Sequence, residues 1–180
     1  PALSLKARGT CGRWRSGCFH DQPYESAVMK VARLYDSTDI RFVEEPVPTV
    51  GPGEALIRTR ACGICSVDVM GWYMKKKAPL VFGHEPAGEV IEVGPGVTDF
   101  CPGDRVFVHH HAPCFTCRVC QRGEFVQCAT WRTSRIVPGG MAEYFLVPKE
   151  NLAGDTLSLP SDLSFADGTL IEPAACAVKS

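Results

Sequence analysis

The chain has 180 residues, of which 45% are hydrophobic and 22% charged, and its formal net charge at pH 7 is −1. These proportions are those of an ordinary globular domain. A near-neutral chain offers no electrostatic basis for binding nucleic acid or an anionic membrane. No apolar run reaches the roughly 18 residues that a transmembrane helix needs. Composition therefore argues against nucleic-acid and membrane partners.

The first 28 residues show neither a helical nor a strand period, and they mix basic residues with glycine and serine. We predict that residues 1–28 form a flexible leader outside the fold. The chain has ten cysteines, but four of them have metal-site spacing and no signal peptide is recognisable. This cysteine usage favours a reducing compartment, the cytoplasm.

Alternating apolar and polar residues begin after the leader and predict short strands. The predicted strands are residues 29–34, 40–43, 55–61 and 89–93, with a further strand after the G-D-R-V turn. Proline and glycine clusters separate them, as in E-E-P-V-P-T-V-G-P-G-E. Several short strands punctuated by turns are typical of a mainly β, barrel-like fold and not of a βαβ fold.

Four cysteines follow these strands at spacings of two, two and seven residues: Cys114, Cys117, Cys120 and Cys128. Four thiolates fill all positions of a tetrahedral Zn²⁺ ion, which makes a structural site rather than a catalytic one. An iron–sulfur cluster also uses four cysteines, and a reduced cysteine-rich loop is a third interpretation. We predict structural zinc.

A second set of metal-ligand residue types lies before the cysteine loop. A cysteine of the A-C-G-I-C stretch, Cys62 or Cys65, with His84 and Glu85, offers the kinds of ligand that form a zinc site with an open coordination position. Gly83 and Gly88 flank the histidine–glutamate pair, where they permit a sharp turn and a close backbone approach.

Four motifs now occur in order: C-G-I-C-x-x-D, G-H-E-x2-G-x5-G-x2-V, G-D-R-V and the four-cysteine loop. Together, over residues 29–180, they resemble the zinc-containing medium-chain alcohol and polyol dehydrogenases, especially the sorbitol/threonine dehydrogenase branch. The resemblance implies a GroES-like catalytic domain with a zinc-binding lobe at 29–163. It also implies short helices at 164–180 that lead to a Rossmann domain.

The resemblance further implies residue roles at the open site. Cys65 and His84 match the family's catalytic zinc ligands. Glu85 matches the adjacent carboxylate, which binds zinc or exchanges with water and substrate. Asp68 matches the acid that orients the ligating histidine. Cys62 is expected to be a small buried side chain and not a ligand.

The C-terminal residues offer one more candidate ligand. The I-E-P-x-A run resembles the polyol dehydrogenase pattern whose glutamate approaches the catalytic zinc, which is Glu172 here, and Cys176 is the competing candidate. An S-x-x-D capping box at 164–167 predicts that a helix begins at Phe165 and is interrupted by Pro173.

Two positions depart from the family's proton relay. Val67 stands where the family has serine or threonine, and Met70 stands where some members have histidine. Ser66 is one residue away and would point to the opposite side in an extended backbone. The triplet 109–111 is H-H-H. We expect these histidines to be solvated or hydrogen-bonded, because the neighbouring structural zinc is already complete with sulfur.

The function implied by the resemblance is zinc-dependent oxidation of a small secondary alcohol or polyol with NAD(P). One catalytic Zn²⁺ would act as a Lewis acid on the substrate oxygen, and one structural Zn²⁺ would fill the cysteine loop. The chain has no G-x-G-x-x-G motif. NAD(P) is therefore expected to bind only through a further domain absent from this sequence, and the chain alone is expected to be inactive.

The whole protein is expected to be a homo-oligomer, a dimer or a tetramer. The alternative function is a non-enzymatic zinc-binding scaffold or binding module. Under this alternative, binding of nucleic acid by the cysteine loop is disfavoured, because Arg118 and Arg122 are the only cations in that loop.

Overall fold

The computed structural model describes residues 28–179. Its strands are β1 (Val28–Asp36), β2 (Asp39–Pro46), β3 (Ala55–Cys62), β4 (Leu80–Val81), β5 (Pro86–Val93), β6 (Arg105–Val108), β7 (Tyr144–Val147) and β8 (Thr156–Ser158). They form a three-stranded sheet, β2-β1-β4, and a five-stranded sheet, β7-β3-β5-β6-β8. All neighbouring strands are antiparallel. The predicted mainly β fold is confirmed.

Short helices lie between and after the strands: α1 (Gly71–Lys77), α2 (Arg118–Gln121), α3 (Ala129–Thr133), α4 (Lys149–Gly154), α5 (Phe165–Gly168) and α6 (Ile171–Lys179), with 3₁₀ turns at Ser66–Val69 and Phe125–Gln127. None of the helices in the described part of the chain is long and apolar enough to cross a membrane.

The predicted strands all appear, with small changes at their ends. β1 begins at Val28, the last residue of the predicted leader, and the rest of that leader lies outside the described residues. β5 begins at Pro86, three residues before the predicted start, directly after the histidine–glutamate pair. The alternation of apolar residues therefore identified the strands, and the candidate ligands lie at a strand end.

The main core lies on one face of the five-stranded sheet. Its inward side chains come from alternate positions of β3, β5, β6 and β7, and include Ile57, Val90, Val106 and Phe145, each no more than 1% exposed. Burying a side chain of this size contributes about 1.5–3 kcal/mol. The sheet is thus a rigid support for the loops at its ends.

Strands β3 and β5 bring the two halves of the candidate site together. Their antiparallel register pairs Cys62 with Pro86, so the loop after β3 and the loop before β5 meet at one end of the sheet. The strands approach closely at Gly88, where an added Cβ would lie 2.2 Å from the carbonyl oxygen of Arg58. Any larger residue at Gly88 would clash with the neighbouring backbone, so this position of the predicted motif requires glycine.

The C-terminal helices confirm one prediction and correct another. The Ser164 hydroxyl accepts a hydrogen bond from the backbone N–H of Asp167 at 3.0 Å, and α5 begins at Phe165 as the capping box predicts. The predicted interruption at Pro173 is wrong, because this proline is the third residue of α6. The first turn of a helix tolerates proline, since its N–H groups have no partner within the helix.

Candidate metal centres

The four-cysteine loop has the geometry of a tetrahedral sulfur site. The sulfur–sulfur distances are 3.5 Å for Cys117–Cys120, 3.6 Å for Cys114–Cys128, and 3.9 Å for both Cys114–Cys120 and Cys117–Cys128. Four Zn–S bonds of the usual length place sulfurs about 3.8 Å apart in a tetrahedron. A disulfide would need about 2.05 Å. The loop therefore fits a Zn²⁺ ion held by sulfur alone.

Local backbone turns and hydrogen bonds prepare this loop, which we call the cysteine lobe (residues 114–128). Phe115 and Gly123 have positive φ values of 58° and 79°, which allow the chain to turn tightly around the sulfurs. The Thr116 hydroxyl and the Cys117 N–H donate to Cys114 Sγ at 3.5 and 3.4 Å. The Thr116 hydroxyl and the backbone N–H groups lower the pKa of Cys114 to about 5. Thiolate is the form that binds zinc.

The second cluster joins the loop after β3 to the loop before β5. One ligand atom from each of Cys65, His84 and Glu85 lies within 4.8 Å of the others. His84 Nε2 is 4.0 Å from Glu85 Oε1, whereas His84 Nδ1 is 3.6 Å from Asp68 Oδ1. One ring nitrogen thus faces the cluster and the other faces Asp68, the arrangement in which a carboxylate fixes the orientation of a ligating imidazole.

The environment of Glu85 indicates whether these residues suit a metal ion. It is 3% exposed, and its Oε1 is buried without a hydrogen-bond partner in residues 28–179. Burial, and after it the neighbouring Glu172 carboxylate, raise the pKa of Glu85 to about 7. A buried carboxylate is costly unless it is paired or coordinates a metal. A thiol, an imidazole and an unsatisfied carboxylate are a donor set that fits zinc.

The backbone at Cys65 corrects the expectation for its neighbours. Ser66 and Val67 are not extended but begin the 3₁₀ turn Ser66–Val69, and the Asp68 carboxylate accepts a hydrogen bond from the Cys65 N–H at 3.0 Å. The two-residue alternation of a strand therefore does not apply. Ser66 does not point away, and its Oγ lies 4.0 Å from Cys65 Sγ.

Two glycines leave room for side chains at the cluster, one for Glu85 and one for the neighbouring Cys62. Gly83 has a φ of +93°, and a Cβ there would lie 2.8 Å from Cys62 Sγ. A Cβ on Gly63 would lie 2.0 Å from Glu85 Oε2. The glycine of the C-G-I-C motif is therefore part of the site, because it gives the buried carboxylate its space.

We expect Gly63→Ala to weaken metal binding at the Cys65–His84–Glu85 cluster while leaving the cysteine lobe loaded. The added methyl group pushes a flexible carboxylate, not backbone, so the fold should survive. Chelator competition should show the second ion bound at least tenfold more weakly, because even the outer partners of a metal site contribute ten- to hundredfold. Gly63 is not among the glycines with positive φ, so the substitution adds no backbone strain of that kind. Equal metal affinity in Gly63→Ala and wild type would contradict this role.

The two C-terminal candidates lie side by side. Cys176 Sγ donates to Glu172 Oε1 at 3.2 Å, one helical turn away on α6. The Glu172 carboxylate is close enough to Glu85 to raise its pKa. Within the described chain, neither Glu172 nor Cys176 belongs to the compact three-ligand cluster. Glu172 as a zinc ligand therefore stays a prediction.

Cys62 lies beside the cluster but outside it. Its thiol is partly buried and faces the Gly63 carbonyl oxygen at 3.5 Å. Burial raises the pKa of Cys62 to about 12, which keeps the sulfur protonated. This environment suits a packing residue and not a metal ligand.

Two of the three neighbouring histidines are hydrogen-bonded, as expected. His109 Nδ1 lies 2.7 Å from Asp155 Oδ2. His111 Nδ1 lies 3.0 Å from the Ser134 carbonyl oxygen and 2.7 Å from Arg135 Nη1.

His110 departs from the expectation, because its Nδ1 is buried without a hydrogen-bond partner in the described residues. Its ring centroid is 5.1 Å from that of His84. Burial, together with the neighbouring histidines and Arg135, lowers the pKa of His110 to about 2. β5 pairs with β6; His84 lies two residues before β5, and His110 lies two residues after β6. The sequence pattern does not reveal the proximity of His110 to His84, because it arises from the tertiary structure.

Comparison with known proteins decides the family. The model of the alcohol dehydrogenase GroES-like domain matches residues 51–156, more than half of the chain. The chain belongs to this family. The predicted membership among the zinc-containing medium-chain alcohol dehydrogenases, with a GroES-like fold, is confirmed.

Relatives in this family act on several small molecules. The chain is 38% identical over 159 residues to L-threonine 3-dehydrogenase from Pyrococcus abyssi, covering 84% of this chain and 44% of the relative. It is 34% identical over 153 residues to sorbitol dehydrogenase from Gallus gallus, covering 81% of this chain and 42% of the relative. The chain thus spans less than half the length of these relatives.

A solved structure supports the same fold. The structure of 2R,3R-butanediol dehydrogenase from Bacillus subtilis matches with a TM-score of 0.67 and 31% identity, covering 84% of this chain and 47% of that chain. The relatives are oxidoreductases. A matching alcohol dehydrogenase from Pyrobaculum aerophilum, at 29% identity and a TM-score of 0.66 over 80% of this chain and 44% of that chain, is described with cobalt and zinc bound.

Proposed function

We propose that this chain is the catalytic-domain portion of a zinc-dependent, NAD(P)-linked dehydrogenase that oxidises a secondary alcohol or polyol. The principal support is the Cys65–His84–Glu85 cluster, in which a buried carboxylate oxygen has no hydrogen-bond partner in residues 28–179. The similar proteins include threonine, sorbitol and butanediol dehydrogenases, which favours a small secondary alcohol as the substrate of this protein.

The residues of the cluster have distinct tasks in this proposal. Cys65, His84 and Glu85 would hold the catalytic ion, and Asp68 would keep the His84 ring turned toward it. A bound zinc ion supplies Lewis-acid polarisation of the substrate oxygen. These three residues would hold the ion and would leave a coordination position free for substrate. The loops between β3 and β5 screen Glu85 from water, since only 3% of it is exposed.

The cysteine lobe would hold a second zinc ion with a structural task. Its four sulfurs complete the coordination of the ion and leave no position for substrate. The lobe packs against the end of α4, where the Phe115 ring lies close to Gly154. A Cβ added to Gly154 would lie only 2.6 Å from that ring. Zinc here would stabilise the segment that follows β6.

We infer that the nicotinamide cofactor binds to a further domain of the whole protein. The 180 residues contain no G-x-G-x-x-G motif, and the relatives are more than twice as long as the part that they share with this chain. The hydride acceptor is supplied by the cofactor and not by side chains. Helix α6 ends the described part of the chain, and none of its residues is buried.

The 180-residue chain alone should show no dehydrogenase turnover, because it lacks a nucleotide-binding motif. A fusion that appends, after Ser180, the part of Bacillus subtilis 2R,3R-butanediol dehydrogenase that this chain does not cover should form NADH or NADPH from secondary alcohols. Cys65→Ala in the fusion is the control and should abolish this activity. Zinc-dependent turnover by the chain alone would refute the inference that the cofactor binds to a further domain. Turnover in the fusion that does not depend on Cys65 would refute the catalytic role of the Cys65–His84–Glu85 cluster.

A zinc-binding scaffold without catalysis is the alternative function. The cysteine lobe by itself would satisfy it, since four thiolates bind zinc without help from the second cluster. The burial of Glu85 favours the enzyme instead, because a scaffold has no use for a buried carboxylate oxygen that lacks a hydrogen bond.

A further inference from the structure

His110 lies among the imidazole rings beside the candidate catalytic centre. Its ring centroid is 5.1 Å from that of His84, 5.1 Å from that of His109 and 3.8 Å from that of His111. His110 lies just after β6, and His84 lies just before β5, the strand that pairs with β6. A side chain next to a candidate metal ligand is placed to contact whatever the metal binds.

The two ring nitrogens of His110 differ in their surroundings. Nδ1 is buried and has no hydrogen-bond partner in the described chain. Nε2 also has no partner there, but it is not among the buried atoms, so it borders open space. A neutral imidazole has one N–H donor and one acceptor nitrogen. Burying an unpaired N–H is rarer in proteins than burying an unpaired acceptor, so the proton belongs on Nε2. His110 thus presents an N–H donor to the open side.

We propose that His110 Nε2–H donates a hydrogen bond to a second oxygen of the substrate, adjacent to the reacting hydroxyl, so that the site selects vicinal diols over simple alcohols and amino alcohols. This inference rests on the function proposed above and narrows its substrate class. A hydroxyl oxygen accepts the hydrogen bond. A methyl group cannot accept it, and an ammonium group has no acceptor.

The test uses the 180-residue chain with zinc in the cysteine lobe and cobalt in the Cys65–His84–Glu85 cluster. The visible spectrum of cobalt is followed while butane-2,3-diol, butan-2-ol or 3-aminobutan-2-ol is added. These three ligands differ only at the carbon next to the reacting one. The wild-type chain should bind the diol about five- to tenfold more tightly than the other two, the effect of one hydrogen bond.

Substitutions assign the preference to His110. His110→Phe should bind the three ligands equally, with the affinity for butan-2-ol unchanged, and His110→Gln, which keeps a donor, should recover part of the diol preference. His109→Gln is the matched control, since His109 is hydrogen-bonded to Asp155, and it should keep the full preference. The cobalt spectrum of each variant reports whether the site is intact.

Two results would overturn the inference alone: a diol preference that persists in His110→Phe, or a wild-type chain that binds cobalt yet does not prefer the diol. A chain that forms no cobalt site dependent on Cys65 would instead overturn the proposed function, and the inference with it.

Discussion

Replacing Cys65 by alanine is expected to remove one of two zinc ions and leave the other in place. Cys65 supplies the only sulfur of the three-ligand cluster. Without it, His84 and Glu85 remain as two donors, too few for a stable zinc site. Even the outer partners of a metal site contribute ten- to hundredfold to metal affinity, so the loss of one ligand should lower the zinc affinity of this cluster by at least that factor. Metal analysis after dialysis should give one zinc per chain.

Cys62→Ala is the matched control for this substitution, because Cys62 is a neighbouring cysteine that lies outside the cluster. It should keep both ions and cost on the order of 1 kcal/mol of packing energy. Equal metal loss in Cys62→Ala and Cys65→Ala would show that the two cysteines are misassigned.

Replacing Cys117 by serine should remove the other ion and destabilise the domain. Cys117 Sγ lies 3.5 Å from Cys120 Sγ and 3.9 Å from Cys128 Sγ, so it belongs to the tetrahedron of sulfurs. Loss of a structural metal is among the few single-site changes that cost about 4 kcal/mol or more. Denaturant unfolding followed by circular dichroism should show the lower midpoint, and metal analysis should show one zinc per chain.

Val126→Ala is the control within the cysteine lobe, since Val126 is 39% exposed and provides no ligand. It should keep both ions and change the free energy of unfolding by less than about 0.5 kcal/mol, as surface substitutions usually do. If Cys117→Ser lost both ions while remaining folded, the two sites would not be independent.

Much of the fold could be predicted from the sequence because its determinants are local. β1 and β3 alternate apolar and polar residues, and period-2 alternation needs no knowledge of distant neighbours. The helix start at Phe165 depends on a capping box four residues long. The cysteine lobe is equally local, since all four of its cysteines lie within 15 residues of sequence.

Other features could not be predicted because they depend on tertiary contacts or on local geometry that the pattern does not encode. The 3₁₀ turn at Ser66–Val69 replaces an assumed extended segment, and the Asp68 carboxylate that caps it also faces His84. The sequence pattern predicts that Pro173 interrupts a helix, although proline fits the first turn of a new helix. His110 and His84 are 26 positions apart in the printed sequence. Only the pairing of β5 with β6 brings them together.

Native mass spectrometry of the 180-residue chain during slow addition of a zinc chelator tests the account most directly. Four thiolates should hold their ion more firmly than three mixed donors with an open position. The account predicts a mass corresponding to two zinc ions, then one, then none, with the first step absent in Cys65→Ala. A wild-type chain that never carries more than one ion, or that loses two in a single step, would contradict it.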